Sequence, residues 1–112
     1  MHQKNLSLSE FQKKVYGVTS KIPKGSVTTY ATIAKILGNS SLARAVGNAL
    51  NKNPFPSEKV PCHRVVRANG EVGGFASGTK NKITMLEKEG IAIVDGRVDL
   101  RRFSANPDLL TR

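Results

Sequence analysis

Cys62 and His63 stand side by side in Pro61-Cys62-His63-Arg64-Val65-Val66, and Cys62 is the only cysteine in a chain with two histidines. A lone thiol can form neither an intramolecular disulfide nor a multi-cysteine zinc site, which leaves a nucleophile or an inert buried thiol. Cysteine attacks as thiolate, and an ordinary thiol pKa of ~8.5 leaves little thiolate at neutral pH without a base or a positive field nearby. His63 is placed to be that base, directly or through one water. Adjacent residues on a strand point to opposite faces, so the pairing demands a turn at Pro61-Cys62-His63. A third group should orient the imidazole. Glu87 and Glu89 are the candidates, and Glu89 is the odder placement. A carboxylate in the last turn of a helix opposes the helix dipole and calls for a cationic or donor partner. Taken alone, these residues leave both readings of Cys62 open.

A second constellation lies upstream. Leu42, Ala45, Val46, Ala49 and Leu50 recur at helical spacing, and the opposite face carries Ser41, Arg44, Gly47, Asn48 and Asn51 with no acidic group. That face suits phosphates. Ala43 and Gly47 beside Arg44 keep the helix slim enough to approach a minor groove about 6 Å wide, with Arg44 as its one long cationic probe. The same pattern also fits a packing glycine and a solvated arginine. Eighteen Lys and Arg against eight Asp and Glu give a formal charge of +10, which points to a polyanionic partner or to a cationic surface that serves solubility. Four Phe, two Tyr and no Trp make a base-stacking platform for single strands a poor fit.

The elements that must position these groups follow from pattern. Ser7-Leu8-Ser9-Glu10 has capping-box form, flanked by Leu6 and Phe11, and predicts a helix from near Leu8. Phe11, Val15, Val18 and Ile22 continue it at helical spacing until Pro23-Lys24-Gly25. Thr28 or Thr29 then caps a short helix bearing Tyr30, Ile33, Ala34 and Leu37, closed by Gly38-Asn39-Ser40. Ser40 or Ser41 caps the Arg44 helix, which Asn53-Pro54 ends. The pair reads as a helix-turn-helix whose second member is the recognition helix.

Downstream come a proline-punctuated loop to Pro61, the apolar pair Val65-Val66, an Asn69-Gly70 turn and a small-residue loop from Gly73 to Gly78. A helix over about residues 80 to 89 carries Ile83 and Leu86 inward, and Asp95-Gly96 joins a hairpin of residues 91 to 94 and 97 to 100. Residues from about 101 to 112 look like a polar, fraying tail. The expected fold is mostly α with a small β hairpin, a winged-helix-like helix-turn-helix domain spanning the chain. At 112 residues that is one domain. No apolar run approaches the roughly 20 residues of a membrane span, and with one cysteine and no signal-peptide pattern the chain is expected to be soluble and intracellular.

These pieces together resemble the C-terminal, active-site domain of the O6-alkylguanine-DNA alkyltransferases, also called methylated-DNA-protein-cysteine methyltransferases. The likeness runs from about Phe11 to Gly90. It rests on Pro61-Cys62-His63-Arg64-Val65-Val66 as the acceptor-cysteine motif, Arg44-Ala45-Val46-Gly47 as the recognition-helix signature, and Asn53-Pro54 as the bend before the active site. The resemblance implies that Cys62 accepts the alkyl group, that His63 activates it through a water and that Glu89 holds the imidazole. Arg44 would fill the gap left by a flipped nucleotide, and Tyr30 would help rotate that nucleotide and serve guanine N3. Asn53 would tie the helix-turn-helix to the active-site turn. The Cys62 and Val65 carbonyls would read the guanine amino group, with Leu50, Val65, Phe75 and Ala76 lining the base pocket and the Ala76 amide facing O6. Tyr30, Ala31, Asn39, Ser41, Arg44, Gly47, Asn48, Asn51 and Arg67 would meet DNA.

The implied activity is stoichiometric repair: one irreversible transfer from O6-alkylguanine, chiefly O6-methylguanine, in double-stranded DNA bound from the minor groove. O6 lies inside the stack, so the nucleotide must be extruded at a cost of about a few kcal/mol. No cofactor and no metal is expected, and the chain is expected to be a monomer in the cytoplasm, or in the nucleus of a eukaryote. The alternative is an alkyltransferase-like protein that flags damage without transfer; those typically replace the acceptor cysteine, which is present here. The sequence departs from the family in a longer, charged Ser57-Glu58-Lys59-Val60, in Phe75 where tyrosine is common and in Ala76 where serine is common. The usual N-terminal domain is expected to be missing. A plain helix-turn-helix regulator would leave Cys62 unexplained, and a Cys-His hydrolase would need neither Arg44 nor the charge.

Overall fold

The computed structural model describes residues 8 to 75 and 78 to 112. Helix α1 (Glu10–Thr19) is capped by Ser9: its hydroxyl accepts from the Gln12 amide at 3.0 Å and the Gln12 side chain accepts from the Ser9 amide at 2.9 Å. The capping box is therefore Ser9 with Gln12, not Ser7 with Glu10, and the helix starts two residues later than expected; Ser7 and Leu6 lie outside the described residues. Val15 and Val18 point inward from α1, and the Tyr16 hydroxyl donates to the Ala49 carbonyl at 2.7 Å.

Strand β1 (Thr28–Thr29) leads straight into α2 (Tyr30–Ile36), whose N-cap is Thr29 through its bond from the Thr32 amide at 3.0 Å. Gly38 turns the chain at φ +104, and a 3-10 turn (Ser40–Leu42) precedes α3 (Ala43–Asn51). The cap here is Asn39, whose side-chain oxygen accepts from the Ser41 amide and hydroxyl at 3.0 and 2.7 Å, in place of the expected Ser40 or Ser41. Buried Val46, Ala49 and Leu50 pack α3 on Ile33 and Ala34 of α2 and on Val15 and Val18 of α1. A helix-turn-helix in a mostly helical domain is thus the observed fold.

The hairpin is present as β3 (Ile93–Val94) and β4 (Arg97–Val98), with Asp95 and Gly96 both at positive φ. It has an unforeseen companion. Strand β2 (Val65–Val66) pairs in parallel with β1, Thr28 opposite Val65 and Thr29 opposite Val66. The register matters for function, because it fixes Tyr30, the first residue of α2, beside the turn that carries Cys62. A second apolar cluster of Val27, Val66, Val72, Leu86, Ile91 and Val98 lies beneath this pair and joins α4 (Thr79–Lys88) to the hairpin.

The expected fraying tail is folded. Helices α5 (Leu100–Phe103) and α6 (Pro107–Leu110) are capped by Asp99 and Asn106, and Leu110 is fully buried in the helical core. The backbone of Val27 is held on both sides: its amide donates to the Phe103 carbonyl at 2.9 Å and its carbonyl accepts from the Ala105 amide at 2.8 Å. Ala105 and Leu110 are too few to give a periodic signal against Asp, Asn and Arg neighbours, which is why composition misread the segment. Among the described residues, no helix is long and apolar enough to cross a membrane.

Candidate functional site

A single 3-10 turn, Cys62–Arg64, sets the geometry. It supplies the bend that a Cys-His pair requires and sends the two side chains to different places. The Cys62 thiol reaches a cavity of about 140 Å³ lined by Leu50, Asn51, Asn53, Phe55, Ser57, Val60 and Phe75. Asn53 donates to Sγ at 3.0 Å, and the thiol reaches the Leu50 carbonyl at 3.7 Å. The same Asn53 amide touches the Phe55 and Val60 carbonyls at 3.2 and 3.4 Å, so one side chain bridges the end of α3 and the Cys62 turn.

His63, the next residue of the turn, is 2% exposed. Its Nε2 lies 3.0 Å from Glu89 Oε2, while Nδ1 is buried with no hydrogen-bond partner. Glu89 is the C-cap of α4, and the donors it needs against the helix dipole come from outside its own helix. Arg64 grips it with both ends of the guanidinium, Nε to Oε1 at 2.9 Å and Nη2 to Oε2 at 2.7 Å, and its Nη1 donates to the Ile22 carbonyl at 2.9 Å. Glu87 is exposed on the same helix. The geometry brings Glu89, and not Glu87, to the imidazole.

Lys82 is the site residue that sequence reasoning missed. It is fully buried, and its ammonium donates to the Val65 carbonyl at 2.7 Å, the Gly74 carbonyl at 3.3 Å and the Tyr30 hydroxyl at 3.4 Å. It also sits 5.7 Å from the Tyr30 ring centroid and 6.0 Å from that of Phe75. A signal existed: Lys82 shares the inward stripe of α4 with Ile83 and Leu86, where a solvated lysine has no business. The Val65 carbonyl, expected to read a guanine amino group, has one lone pair already committed to Lys82.

Burial shapes every titration here. It lowers Lys82 from 10.5 to about 8, with Arg67 pressing the same way and Cys62 opposing. It raises the Cys62 thiol, against the Asn53 hydrogen bond and the Lys82 charge. It lowers His63, with Glu89 opposing and the Arg64 and Lys82 charges assisting. It raises Tyr30, partly offset by Arg67. Burial would also raise Glu89, but the hydrogen bonds from Arg64 and His63 overcome it and hold the carboxyl below its usual range. At neutral pH the resting site therefore holds a neutral thiol, a neutral imidazole and an ionised Glu89. A carboxylate at Nε2 fixes the ring proton there and leaves the Nδ1 lone pair as the base.

A broad groove of about 760 Å³ adjoins the thiol cavity, the two sharing Asn51. It is lined by Tyr30 and Ala31 from α2, by Ala43, Arg44, Gly47, Asn48 and Asn51 from α3, and by Arg67, Ala68, Asn69 and Gly74 on the opposite rim. Most residues expected to meet DNA are thus on one concave surface. Asn39 and Ser41 are not among its lining; they are engaged with each other at the turn before α3. Leu50, Phe55 and Phe75 belong to the thiol cavity, and Ala76 lies outside the described residues. Among the described residues no cluster of three or more His, Cys, Asp or Glu could hold a metal ion.

A family model described as "6-O-methylguanine DNA methyltransferase, DNA binding domain" matches residues 10–91. A methylated-DNA–protein-cysteine methyltransferase of Methanosarcina acetivorans is 49% identical over 82 residues, which are 73% of this chain and 52% of that protein. The chain spans about half the length of the methyltransferase relatives it matches. Among solved structures, S. pombe Atl1 in complex with damaged DNA containing O6-carboxymethylguanine superposes with a TM-score of 0.78 at 33% identity, over 91% of this chain and 100% of that one. The O6-methylguanine-DNA methyltransferase of Pyrococcus kodakaraensis superposes with a TM-score of 0.66 at 46% identity, over 75% of this chain and 48% of that one.

Proposed function

The chain belongs to the 6-O-methylguanine DNA methyltransferase family through its DNA-binding domain, and from that premise we propose that it repairs DNA by moving an alkyl group from guanine O6 to Cys62, once per molecule. The observation that carries the reading is the position of the thiol. It lies in a small cavity that adjoins the Arg44 groove, with the buried His63 and the part-buried Glu89 and Arg64 on the same turn and the end of α4.

The chemistry follows from the resting protonation states. Duplex DNA occupies the groove with α3 in the minor groove, and Arg44 takes the place of the extruded nucleotide, whose base enters the thiol cavity. His63 Nδ1 takes the thiol proton through a water, and the imidazolium is stabilised by Glu89. The thiolate attacks the alkyl carbon, the new bond is Sγ to carbon, and the bond broken is carbon to O6. The electron pair left on guanine is neutralised by a proton from Tyr30 at N3, and the proton held by His63 restores the phenol through solvent. Lys82 favours both steps, since its charge lies near the thiol and hydrogen-bonds the phenol oxygen. A thioether is a very poor leaving group, so the alkyl group remains.

A second reading, binding of damaged DNA without transfer, is supported by the close superposition on Atl1. Intact-protein mass measurement after incubation with a duplex containing O6-methylguanine separates the two. Transfer adds one methylene, mapped to Cys62; unchanged mass with lesion binding retained establishes the second reading. Arg44→Ala is expected to slow reaction in duplex DNA more than reaction with free alkylated guanine, and equal losses would refute the wedge role.

A further inference from the structure

The β3–β4 hairpin has no part in the reading above, yet it is built onto the rim of the groove. Glu71 bridges Arg97 in antiparallel register, the Val98 amide donates to the Gly70 carbonyl at 2.8 Å, and the Val72 amide donates to the Gly96 carbonyl at 3.0 Å. On its other side Glu71 closes a tight turn on Arg67. The Gly70 amide donates to the Arg67 carbonyl at 2.9 Å, the Arg67 amide donates to the Glu71 carbonyl at 2.8 Å, and Gly70 adopts φ +91. This is a three-residue loop ended by a left-handed glycine, and it sets residues 67 and 71 opposite each other. No side chain fits at Gly70, where a Cβ would stand 2.6 Å from the Val98 carbonyl oxygen.

Arg67, Glu71 and Arg97 consequently form one row across three neighbouring segments, while Val72 and Val98 face the core. The row is continuous with the groove, since Arg67 and Asn69 line it. Gly73 leaves the seat over which the Arg67 side chain runs, a Cβ there being 3.2 Å from Nε and 3.4 Å from Cγ. Arg97 Nη2 lies 3.7 Å from Glu71 Oε2, with the two side chains 57% and 45% exposed, and Asn69 donates to Glu71 Oε1 at 3.1 Å. An ion pair so exposed contributes little to stability. What it does is hold a cation in place.

We propose that the β3–β4 hairpin is a second phosphate-contacting arm, in which Arg97 extends past the Asn69 rim the cationic track begun by Arg44 and Arg67, with Glu71 as its counter-ion while no duplex is bound. The proposal rests on the DNA-binding reading. Neighbouring strands lie about 4.8 Å apart, so the backbones of Arg67 and Arg97 are separated by about 10 Å, roughly three rises of 3.4 Å along the DNA axis. A phosphate oxygen then replaces the Glu71 carboxylate on Arg97, and the contact falls on sequence next to the lesion, not on the lesion itself.

The test is the salt dependence of binding in a Cys62→Ala background, where transfer cannot follow, using lesion-bearing duplexes of about one and about two helical turns. One phosphate contact contributes ~0.9 to the slope of log K against log salt, which is roughly an eightfold difference at 0.1 M relative to 1 M. Arg97→Ala should lower the slope by ~0.9 and weaken the longer duplex roughly eightfold, with a smaller effect on the shorter one. Glu71→Gln should tighten the longer duplex. With Cys62 restored, Arg97→Ala should react with free O6-benzylguanine at the parental rate, which also reports an intact fold. A parental slope and affinity in Arg97→Ala on the longer duplex, beside a steep slope for the parent, would overturn the arm and leave the DNA reading standing. A parent that binds neither duplex would overturn both.

Discussion

Replacing Lys82 by Met tests how strongly burial holds down the titration of its ammonium. The lowering of Lys82 from 10.5 to about 8 means that, between those values, the folded protein releases a proton that the unfolded chain keeps. Unfolding then takes up a proton, so stability rises with pH across that window and is at its lower level below about 8. At 1.36 kcal/mol per pKa unit, the increment between pH 7 and pH 9.5 is about 2 kcal/mol. Three other groups must be kept from obscuring it. Cys62 is raised by burial and gives the opposite slope, so the comparison belongs in a Cys62→Ala background. Tyr16 and Tyr30 are raised from 10.0, which sets the upper limit of the range. Urea denaturation at a series of pH values, at constant m-value, should show the Lys82 protein gaining about 2 kcal/mol relative to Lys82→Met. Parallel stability curves for the two proteins would refute the claim that a buried ammonium titrates near 8. The same substitution in the Cys62 protein should slow alkyl transfer to free O6-benzylguanine, since it removes the charge beside the thiol and the donor to Tyr30. A protein made less pH-sensitive but slower is the expected outcome of a strained, functional lysine.

Glu89→Gln should cost about 2 kcal/mol, because it removes the charge that both Arg64 and His63 bond. Glu89 is held below its usual range, so its contribution is present above the unfolded carboxyl pKa and is lost as pH falls through the folded one. Glu89→Gln should therefore flatten the acid limb of the stability curve as well as slow transfer by ~10²-fold or more; an unchanged acid limb would count against the coupling. Leu110→Ala should destabilise by about 3 kcal/mol in urea denaturation, as for a fully buried leucine, whereas a value within about 0.5 kcal/mol would restore the fraying-tail reading.

The helix-turn-helix was legible because its signals are local: a Thr cap, a Gly turn, and two apolar stripes at helical spacing. Asn69-Gly70 and Asp95-Gly96 were legible for the same reason, as each names its own turn. What the chain conceals is non-local. β1 and β2 are two residues each, too short for any alternation, and their parallel register exists only because α2, α3 and the proline loop return the chain beside Thr28. Arg64 was visible only as part of a motif. Its three-way hold on Glu89 and the Ile22 carbonyl spans 25 and 42 residues of sequence. Lys82 was overlooked because a lysine is expected to be solvated, and the carbonyls of Val65 and Gly74 with the Tyr30 hydroxyl make its burial tolerable.

The direction of the pKa shifts bears on why a single-use acceptor would be built this way. An exposed, low-pKa thiolate reacts with whatever electrophile arrives, and a protein that spends its only nucleophile on one reaction cannot recover from a wrong one. Here the thiol is raised by burial, bonded by Asn53 and the Leu50 carbonyl, and set at the wall of a cavity of about 140 Å³. His63 is also neutral at rest, because burial outweighs Glu89. On the proposed function, reactivity is assembled by a base that fills the cavity, displaces water and brings the alkyl carbon within reach while Lys82 and Tyr30 face the departing charge. On that reasoning simple alkylating agents should label Cys62 slowly in the free protein despite its partial exposure, and the rate should rise with pH only above the usual thiol range. Rapid labelling at neutral pH would mean that the thiol is activated without its substrate and that burial does not gate it.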